Sequence, residues 1–223
     1  MARKTKQEAA ATREGILDAA LACFHEHGVA GTSLAAIGER AGFSRGAVYW
    51  HFKNKTEVLE AMINRERVHF INRLRHAYAR ERSTPIEDLR SAMLISVGEI
   101  AHDQRLRDMM EIMLRNDLSA ESLAMQQLQR DSVDEEMDIF CRALLRAQEL
   151  GQLRDGVNIN TLARILHACL VGVLYGAMLQ PEHFDLEGDS RETMDAMLSY
   201  YVTPGVFTPG TAPLPLPTPD PAA

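Results

Sequence analysis

The sequence predicts an all-α protein, and three observations support this fold class. Proline is absent before Pro85 and again from 86 to 180, so long helices are permitted over most of the 223 residues. Alternating runs of β-branched residues and Asn-Gly or Asp-Gly hairpin turns are missing. Apolar residues instead recur at helical spacing behind residues that cap helices. We therefore expect about nine helices.

Four helices are predicted in the first 75 residues. Each follows a residue of a type that caps helix N-termini, namely Thr12, Ser33, Ser44 and Asn54. The second and third predicted helices, 34–41 and 45–51, are short and are separated by Gly42 and Phe43. Glu57 stands three residues after Asn54, so the fourth helix begins with a variant of the capping box.

The later helices are placed by similar signals. Thr84 and Pro85 form a strong start signal, with proline at the first helical position. Further helices are predicted over residues 103–116, 119–150, 158–179 and 190–201. Seven of the nine prolines follow Val202, and such a segment cannot bury a core. Residues 203–223 are therefore expected to form a disordered or polyproline-like tail.

Charge is divided unevenly along the chain. The net charge of −7 argues against nucleic-acid binding by the chain as a whole. Residues 1–55, however, carry eight basic and five acidic residues, a net charge of +3, which leaves −10 for the remainder. All four lysines lie in this first quarter, whereas ten of the eleven methionines lie at or beyond Met62. The different compositions of residues 1–55 and of the remainder indicate that the two parts have different functions.

Signals for an enzyme, a metal site or a cofactor are poor. Sequence motifs of serine hydrolases, dinucleotide-binding folds, phosphate-binding loops and zinc proteases are missing. Cys23, His25 and His27 are close in sequence, but on a helix His25 points away from the other two. The other cysteines, Cys141 and Cys169, complete an odd set without metal-ligand spacing. No metal and no cofactor are expected, and the thiols suit a reducing cytoplasm.

The second and third predicted helices have the order and lengths of a helix-turn-helix, with a reading unit over residues 33–52. Arg45 stands near the start of the second of these helices, where it can reach a guanine edge or a phosphate. Tyr49, Trp50, His51 and Phe52 are consecutive. Because neighbouring helical positions point about 100° apart, one face cannot bury all four. Phe52 is expected in the core and others on the surface, although an aromatic core helix is the open alternative.

Two segments carry a family resemblance, residues 28–37 (GVAGTSLAAI) and residues 41–59 (AGFSRGAVYWHFKNKTEVL). They resemble the DNA-binding domain of TetR-family repressors, and the match covers roughly residues 10 to 70. The opening MARKTK, with TREGILDAA and YWHF, is further similar to the branch that contains AcrR, TtgR and SmeT and represses multidrug efflux pump genes. Segments 22–28, 110–115 and 150–154 resemble SmeT in particular. Phe43 departs from the valine that many members have there.

The resemblance implies a domain order and a DNA-contacting set. It implies a DNA-binding domain over 10–70, a ligand-binding and dimerisation domain over 71–202, and then the tail. The residues expected beside double-stranded operator DNA are Thr32, Ser33, Ser44, Arg45, Gly46, Ala47, Tyr49, Trp50, His51 and Lys55.

The C-terminal two-thirds are expected to hold a small hydrophobic or aromatic ligand. Methionines and aromatics on long helices are typical of core packing, but they also suit a pliable apolar pocket. His167 and Ser96 lie within apolar runs and are candidates for the few polar contacts. The hypothesised pocket consists of Phe70, Met93, Ser96, Met113, Phe140, Leu166, His167 and Leu170.

A stripe of small residues, Ala168, Gly172 and Gly176, recurs every four positions on a helix that is apolar nearly all round. Such a stripe permits close helix packing, either within the chain or with a second copy. TetR-like proteins dimerise through a helix of this kind, and paired half-sites on DNA require a dimer. We therefore expect a homodimer whose interface includes the stripe.

These features predict a ligand-responsive repressor of a multidrug efflux operon, in which ligand shifts the helix that begins at Asn54. A TetR-like regulator of lipid or catabolic genes, and a small helical enzyme or carrier, are the alternatives. The N-terminus lacks a leucine-rich signal region, and the apolar stretch 165–179 is shorter than the ~20 residues that span a bilayer. A cytoplasmic protein without membrane contact is expected.

Overall fold

The computed structural model describes residues 6–76, 83–114 and 120–215, and this part of the chain is helical as predicted. Its only strand-like pairing is an isolated antiparallel bridge between Leu153 and Val202. Nine helices lie in the described ranges: α1 (Lys6–Gly31), α2 (Leu34–Arg40), α3 (Arg45–His51), α4 (Lys55–His76), α5 (Pro85–His102), α6 (Gln104–Leu114), α7 (Ala120–Glu149), α8 (Ile159–Leu179) and α9 (Leu186–Tyr201).

The helices form two compact units. Unit 1 consists of residues 1–67 and 104–130, and unit 2 of residues 68–103 and 131–223. Unit 1 therefore contains α6, which the sequence prediction assigned to the ligand-binding domain. The reason is burial, because Met109 and Ile112 of α6 belong to the same apolar core as α1. Helices α4 and α7 each contribute residues to both units.

Unit 1 is built around apolar faces of α1, α4 and α6. Ile16, Leu17 and Phe24 of α1 are almost fully buried, as are Leu59 and Met62 of α4. A network of charged residues joins the same three helices at the surface. The Arg65 guanidinium on α4 lies 3.0 Å from carboxylate oxygens of both Glu14 and Asp18 on α1. Arg105 on α6 lies 3.0 Å from Asp18 and 3.1 Å from Glu66 on α4.

Four predicted helix starts are confirmed. The side-chain oxygens of Ser33 and Ser44 accept hydrogen bonds from the backbone N–H three residues later, and Asn158 does the same at α8. Asn54 Oδ1 accepts from the Glu57 N–H at 2.8 Å, and the Glu57 carboxylate accepts from the Lys53 N–H at 2.7 Å. These bonds satisfy N–H groups that have no partner within the helix.

Two predicted starts are wrong by several residues. Thr12 lies inside α1, which begins at Lys6, and its hydroxyl donates to the Glu8 carbonyl at 2.8 Å. Serine and threonine can also make this bond inside a helix, although they are more common as caps, so residue type alone misplaced the start. Ser190 lies in the second turn of α9, which begins at Leu186, and its side chain is buried.

Helices α2 and α3 approach each other at Gly38. A methyl group built on Gly38 would lie 2.9 Å from Val48 Cγ2 and 3.3 Å from the Phe43 carbonyl oxygen, so only glycine fits without displacement. Phe43 is accommodated in the same way, because its ring lies against Gly15 of α1. The large side chain in the turn is therefore matched by a missing side chain on α1.

The predicted C-terminal tail is ordered as far as the structure describes it, which corrects the expectation for residues 203–215. Thr203 continues the pairing of Val202 by donating its N–H to the Gln152 carbonyl at 2.9 Å. Gly210 N–H donates to Asp195 Oδ2 on α9 at 2.7 Å, and Leu214 N–H donates to Ser91 Oγ on α5 at 2.8 Å. Backbone N–H and C=O groups, which composition does not reveal, hold this C-terminal strap (residues 203–215) on unit 2.

Arg90 is the buried centre of that attachment. Its side chain is fully buried, and its Nε and Nη2 donate to the two carboxylate oxygens of Asp195 at 2.6 and 3.1 Å. Nη2 also donates to the Thr211 carbonyl of the strap at 2.9 Å, and Nη1 donates to Glu87 at 3.2 Å. Burial raises the pKa of the Glu87 carboxyl above its usual value, against the opposing effect of Arg90.

We predict that Asp195→Ala strongly destabilises the protein. The substitution leaves the buried Arg90 guanidinium with Glu87 as its one remaining acidic partner beside the Thr211 carbonyl, and it removes the acceptor of Gly210, so the loss should be about 3–5 kcal/mol. Urea unfolding followed by circular dichroism measures it. Asp138→Ala, which breaks the exposed pair of Asp138 with Arg142, is the matched control and should change stability little. Equal effects of the two substitutions would contradict the prediction.

We predict that Gly38→Ala destabilises unit 1 by about 1 kcal/mol, because overpacking outweighs the better helix propensity of alanine. Val48 is β-branched and fully buried, so its methyl group cannot turn aside. In a double-mutant cycle, the cost of Gly38→Ala should fall when Val48→Ala is also present. Strictly additive free energies would show that the two residues do not limit the helix approach.

Candidate nucleic-acid interface and ligand site

Helix α3 leaves most of its side chains on the surface. Only Val48 is buried within it, and Phe52, the C-cap residue, is 2% exposed. Arg45, Gly46, Tyr49 and Trp50 are exposed, whereas Ala47 and His51 are half-buried. The prediction that Phe52 belongs to the core while others of the four consecutive residues face outward is confirmed.

The exposed aromatics of α3 lie among cationic groups. Trp50 is 72% exposed and Tyr49 is 47% exposed, which is unusual for side chains of this size. The Arg45 guanidinium lies 5.2 Å from the centre of the Tyr49 ring, and the Trp50 and His51 rings meet edge to face with centres 4.5 Å apart. This surface presents hydrogen-bond donors and flat apolar faces together.

The side chains of Ser33 and Ser44 serve the ends of α2 and α3. Ser33 Oγ accepts from the Ala36 N–H at 3.1 Å, and Ser44 Oγ accepts from the Ala47 N–H at 3.2 Å. Both residues are exposed, so their predicted place beside DNA stays a prediction that the structure permits.

The structure corrects the predicted placement of the Thr32 side chain and shows hydrogen bonds of Lys55 within the protein. Thr32 is buried, and its hydroxyl donates to the carbonyls of Gly28 and Cys23 at 2.8 and 3.1 Å, where it closes the end of α1. Lys55 Nζ donates to the carbonyls of Thr32 and Ala30 at 2.8 and 3.2 Å. Both side chains thus serve the junction between α1 and α2.

Sequence reasoning missed Arg13 at this surface. The Arg13 guanidinium lies 5.2 Å from the centre of the Phe52 ring and adds a cation beside the end of α3. The position of Arg13 in the helical pattern of α1 did not indicate this contact, because the two residues are 39 positions apart in the sequence. Lys53 is also exposed next to Phe52, so two cations lie near the C-terminal end of α3, while Arg45 is the first residue of the helix.

Seven of the eight predicted ligand contacts belong to unit 2. Met93, Phe140 and Leu166 are completely buried there, and Leu170 is nearly so. Phe70 on α4 is half-buried. Met113 belongs instead to unit 1, where it packs against the core of α1, α4 and α6. The predicted set is therefore divided between the two units.

The two polar members of the predicted pocket have partners that sequence did not reveal. His167 on α8 faces Glu136 on α7, with 3.4 Å between Nε2 and a carboxylate oxygen, and both side chains are largely buried. Ser96 on α5 accepts from Arg73 on α4, which is 8% exposed. Arg73 is thus a buried cation among the predicted ligand contacts, and no motif marked it.

The predicted dimer stripe separates into two parts. Ala168 and Gly172 are exposed on α8, and a methyl group built on Gly172 would meet no atom within 4 Å. Gly176, in contrast, is covered by the Phe184 ring, whose nearest carbon would lie 2.5 Å from such a methyl group. The small size of Gly176 is therefore explained by packing within the chain, the alternative that the sequence left open for this stripe.

Helix α8 shows more apolar surface than one chain covers. It has 21 residues and is long and apolar enough to span a membrane by length and composition, a test that core helices also pass. Only 28% of its most apolar part is buried within the chain. Val171, Tyr175 and Leu179 are exposed on it, on the same side as Ala168 and Gly172. An apolar face of this size marks an interaction surface.

Cys23 lies in the core of unit 1, and its carbonyl accepts a hydrogen bond from the Thr32 hydroxyl. It is 3% exposed, and burial raises the pKa of its thiol, which keeps it protonated and unreactive. Near it, the Arg40 guanidinium donates to both carboxylate oxygens of Glu26 and lowers the pKa of that exposed carboxyl.

Comparisons with known proteins identify both parts of the chain. Residues 16–62 match the bacterial regulatory proteins of the tetR family, and residues 84–203 match the C-terminal region of MAATS-type transcriptional repressors. The chain is 32% identical over 214 residues to the HTH-type transcriptional regulator AcrR of Shigella flexneri, covering 95% of this chain and 99% of AcrR.

A solved structure is more similar still. SmeT, the repressor of the Stenotrophomonas maltophilia multidrug efflux pump SmeDEF, shares 51% identity and superposes with a TM-score of 0.85 over 92% of this chain and 97% of SmeT. A complex of SmeT with triclosan shares 53% identity, with a TM-score of 0.90 over 93% of this chain and 99% of that chain. The chain therefore belongs to the TetR family of bacterial regulatory proteins.

Proposed function

We propose that this protein is a ligand-responsive transcriptional repressor that binds operator DNA as a dimer, is released by hydrophobic or aromatic molecules and controls a multidrug efflux operon. The observation that carries the proposal is α3, which buries Val48 and exposes Arg45, Tyr49 and Trp50. SmeT is described as a repressor of a multidrug efflux pump and has been solved with triclosan, which supports the drug class and the target. Such a repressor acts in the cytoplasm.

DNA recognition is assigned to the exposed side of α3. The second helix of a helix-turn-helix lies in the major groove with its first residues nearest the bases, so we assign Arg45 to a guanine edge or a phosphate. Tyr49 lies one turn later under the Arg45 guanidinium and limits the directions in which that side chain extends. Trp50 and His51 offer ring N–H groups toward the DNA backbone.

A dimer is assigned to the apolar face of α8. Two reading helices must be spaced by about one turn of DNA, ~34 Å, to bind adjacent half-sites, and a two-fold axis supplies this spacing. Val171, Tyr175 and Leu179 supply apolar area, and Gly172 lets a second helix approach closely. The same pairing explains why one chain leaves α8 so exposed without requiring a membrane.

Release is assigned to unit 2. Met93, Phe140 and Leu166 form apolar surroundings for a drug, and the His167–Glu136 pair supplies polar contacts there. Helix α4 contributes residues 55–67 to unit 1 and residues 68–76 to unit 2. We place the shift of α4 on ligand binding at the centre of the mechanism, so that drug and operator oppose each other through one coupling energy.

We predict that Arg45→Ala weakens operator binding about 10-fold or more, because one good base or phosphate contact contributes about 1–3 kcal/mol. The assay is a gel shift with the DNA upstream of the protein's own gene, with and without triclosan. Arg142→Ala, which removes an exposed arginine of α7, is the matched control and should bind like the wild type. Failure of the wild type to bind this DNA, or wild-type binding by Arg45→Ala, would contradict the proposal.

We predict that Gly172→Arg yields a folded monomer. Gly172 is exposed, and a Cβ added there meets no atom of the chain within 4 Å, so the arginine should extend into solvent and leave the fold intact while it blocks close approach of a second α8. Gly172→Ala is the control and should remain dimeric. Sedimentation equilibrium at micromolar concentration distinguishes the two states, and a dimer of Gly172→Arg would exclude this face as the interface.

A further inference from the structure

The Arg73 side chain holds the last part of α4 on α5. Nη1 and Nη2 donate to the two carboxylate oxygens of Glu99 at 3.0 and 2.5 Å, and Nε and Nη2 donate to Ser96 Oγ at 3.2 and 3.0 Å. Ser96 and Glu99 lie one helical turn apart and therefore on the same face of α5. The three residues Arg73, Ser96 and Glu99 form what we call the α4–α5 latch.

The Ser96 hydroxyl has no capacity left for a ligand while the latch is closed. It donates its single proton to the Ala92 carbonyl at 2.8 Å, and it accepts two N–H groups from Arg73. A serine hydroxyl has one proton and two lone pairs, so all its hydrogen bonds are used. A polar group of a ligand therefore reaches Ser96 only if Arg73 moves.

The latch is built to favour one arrangement rather than to add much stability. Arg73 is 8% exposed, whereas the Glu99 side chain is 43% exposed. Burying a guanidinium removes its hydration, which offsets most of the attraction to a carboxylate. When the pair opens, Glu99 is hydrated in place and Arg73 carries the larger change in environment.

The latch lies next to predicted ligand contacts on both helices. Phe70 precedes Arg73 by three residues on α4, and Met93 precedes Ser96 by three residues on α5, so each is a helical neighbour. A ligand held at either of these residues would therefore lie one helical turn from a member of the latch. The exposed pair of Arg75 and Glu135, with 2.6 Å between their charged atoms, joins the same turn of α4 to α7 away from these contacts.

We propose that the α4–α5 latch is the switch through which a bound drug acts on operator binding. In the closed form it fixes the part of α4 that belongs to unit 2, and this form is the one that binds operator. Ligand beside Phe70 and Met93 opens the latch, and the continuous helix passes the change to residues 55–67, which belong to the same unit as α3. This inference rests on the proposed function and assigns its coupling to Arg73, a positioning residue.

The test compares Arg73→Met with Arg75→Met. Methionine fills the buried space of Arg73 without its charge, and Arg75→Met removes the exposed pair of the same turn. Operator dissociation constants are measured by fluorescence anisotropy with and without saturating triclosan, triclosan affinity by calorimetry, and folding by the melting temperature. Arg73→Lys, which keeps a charge for Glu99 but lacks the fork to Ser96, is the conservative variant.

Because operator binding and triclosan binding are thermodynamically linked, the two affinities should change in opposite directions. Arg73→Met should lower operator affinity about 10-fold without drug, raise triclosan affinity by a similar factor, and so reduce the effect of triclosan on operator binding. Arg73→Lys should lie between Arg73→Met and the wild type, and Arg75→Met should match the wild type. A residue that only stabilises the fold is expected to lower both affinities together with the melting temperature, so opposite shifts of the two affinities at an unchanged melting temperature identify the switch.

Two results overturn the latch and are distinct from failure of the proposed function. If the wild type is released by triclosan and Arg73→Met responds as Arg75→Met does, the latch carries no coupling. If Arg73→Met lowers both affinities together with the melting temperature, Arg73 is a structural residue only. If the wild type binds no operator or is not released by triclosan, the proposed function fails and the latch fails with it.

Discussion

The structure depends on how little of α3 is buried. A helix of seven residues has few side chains with which to anchor itself, and this one relies on Val48 against Gly38 and on Phe52 at its end. Because these contacts suffice, the remaining positions are free to display arginine and aromatic rings to water. Gly15, which receives the Phe43 ring, and Lys55, which holds the end of α1, serve the same purpose from neighbouring helices. The exposed side chains of α3 are thus supported from its buried side.

Unit 2 relies on buried arginines more than its methionine-rich composition indicates. Arg90 joins α5, α9 and the C-terminal strap, whereas Arg73 joins α4 to α5. The two arginines differ in how exposed their acidic partners are. Asp195 is buried with Arg90, so that pair suits permanent attachment, whereas Glu99 reaches Arg73 from the surface. Arg90, whose acidic partner is buried, thus suits a structural role. Arg73, whose acidic partner is exposed, suits a contact that opens and closes.

Much of the fold was predictable from local signals. Proline placement, helical periodicity and caps at Ser33, Ser44, Asn54 and Asn158 all act within a few residues, and the helices follow them. The reading helix was predictable for the same reason, since four consecutive large residues cannot share one face. What escaped prediction joins distant positions: Arg13 on Phe52, Arg73 on Ser96, and backbone groups of the strap on Asp195. Side-chain type does not identify such partners.

The assembly of unit 1 from two separated stretches has a consequence for how the protein is made. Residues 6–67 contain the whole reading surface, but the core that supports them is completed by Met109 and Ile112 of α6. During synthesis, therefore, the N-terminal stretch leaves the ribosome well before its last supporting helix and cannot close its core until more than 110 residues have been made. We expect a nascent chain of about 70 residues to expose apolar surface that is sealed only when α6 emerges. The DNA-reading part of the molecule thus reaches its final form late in translation, although it is encoded first.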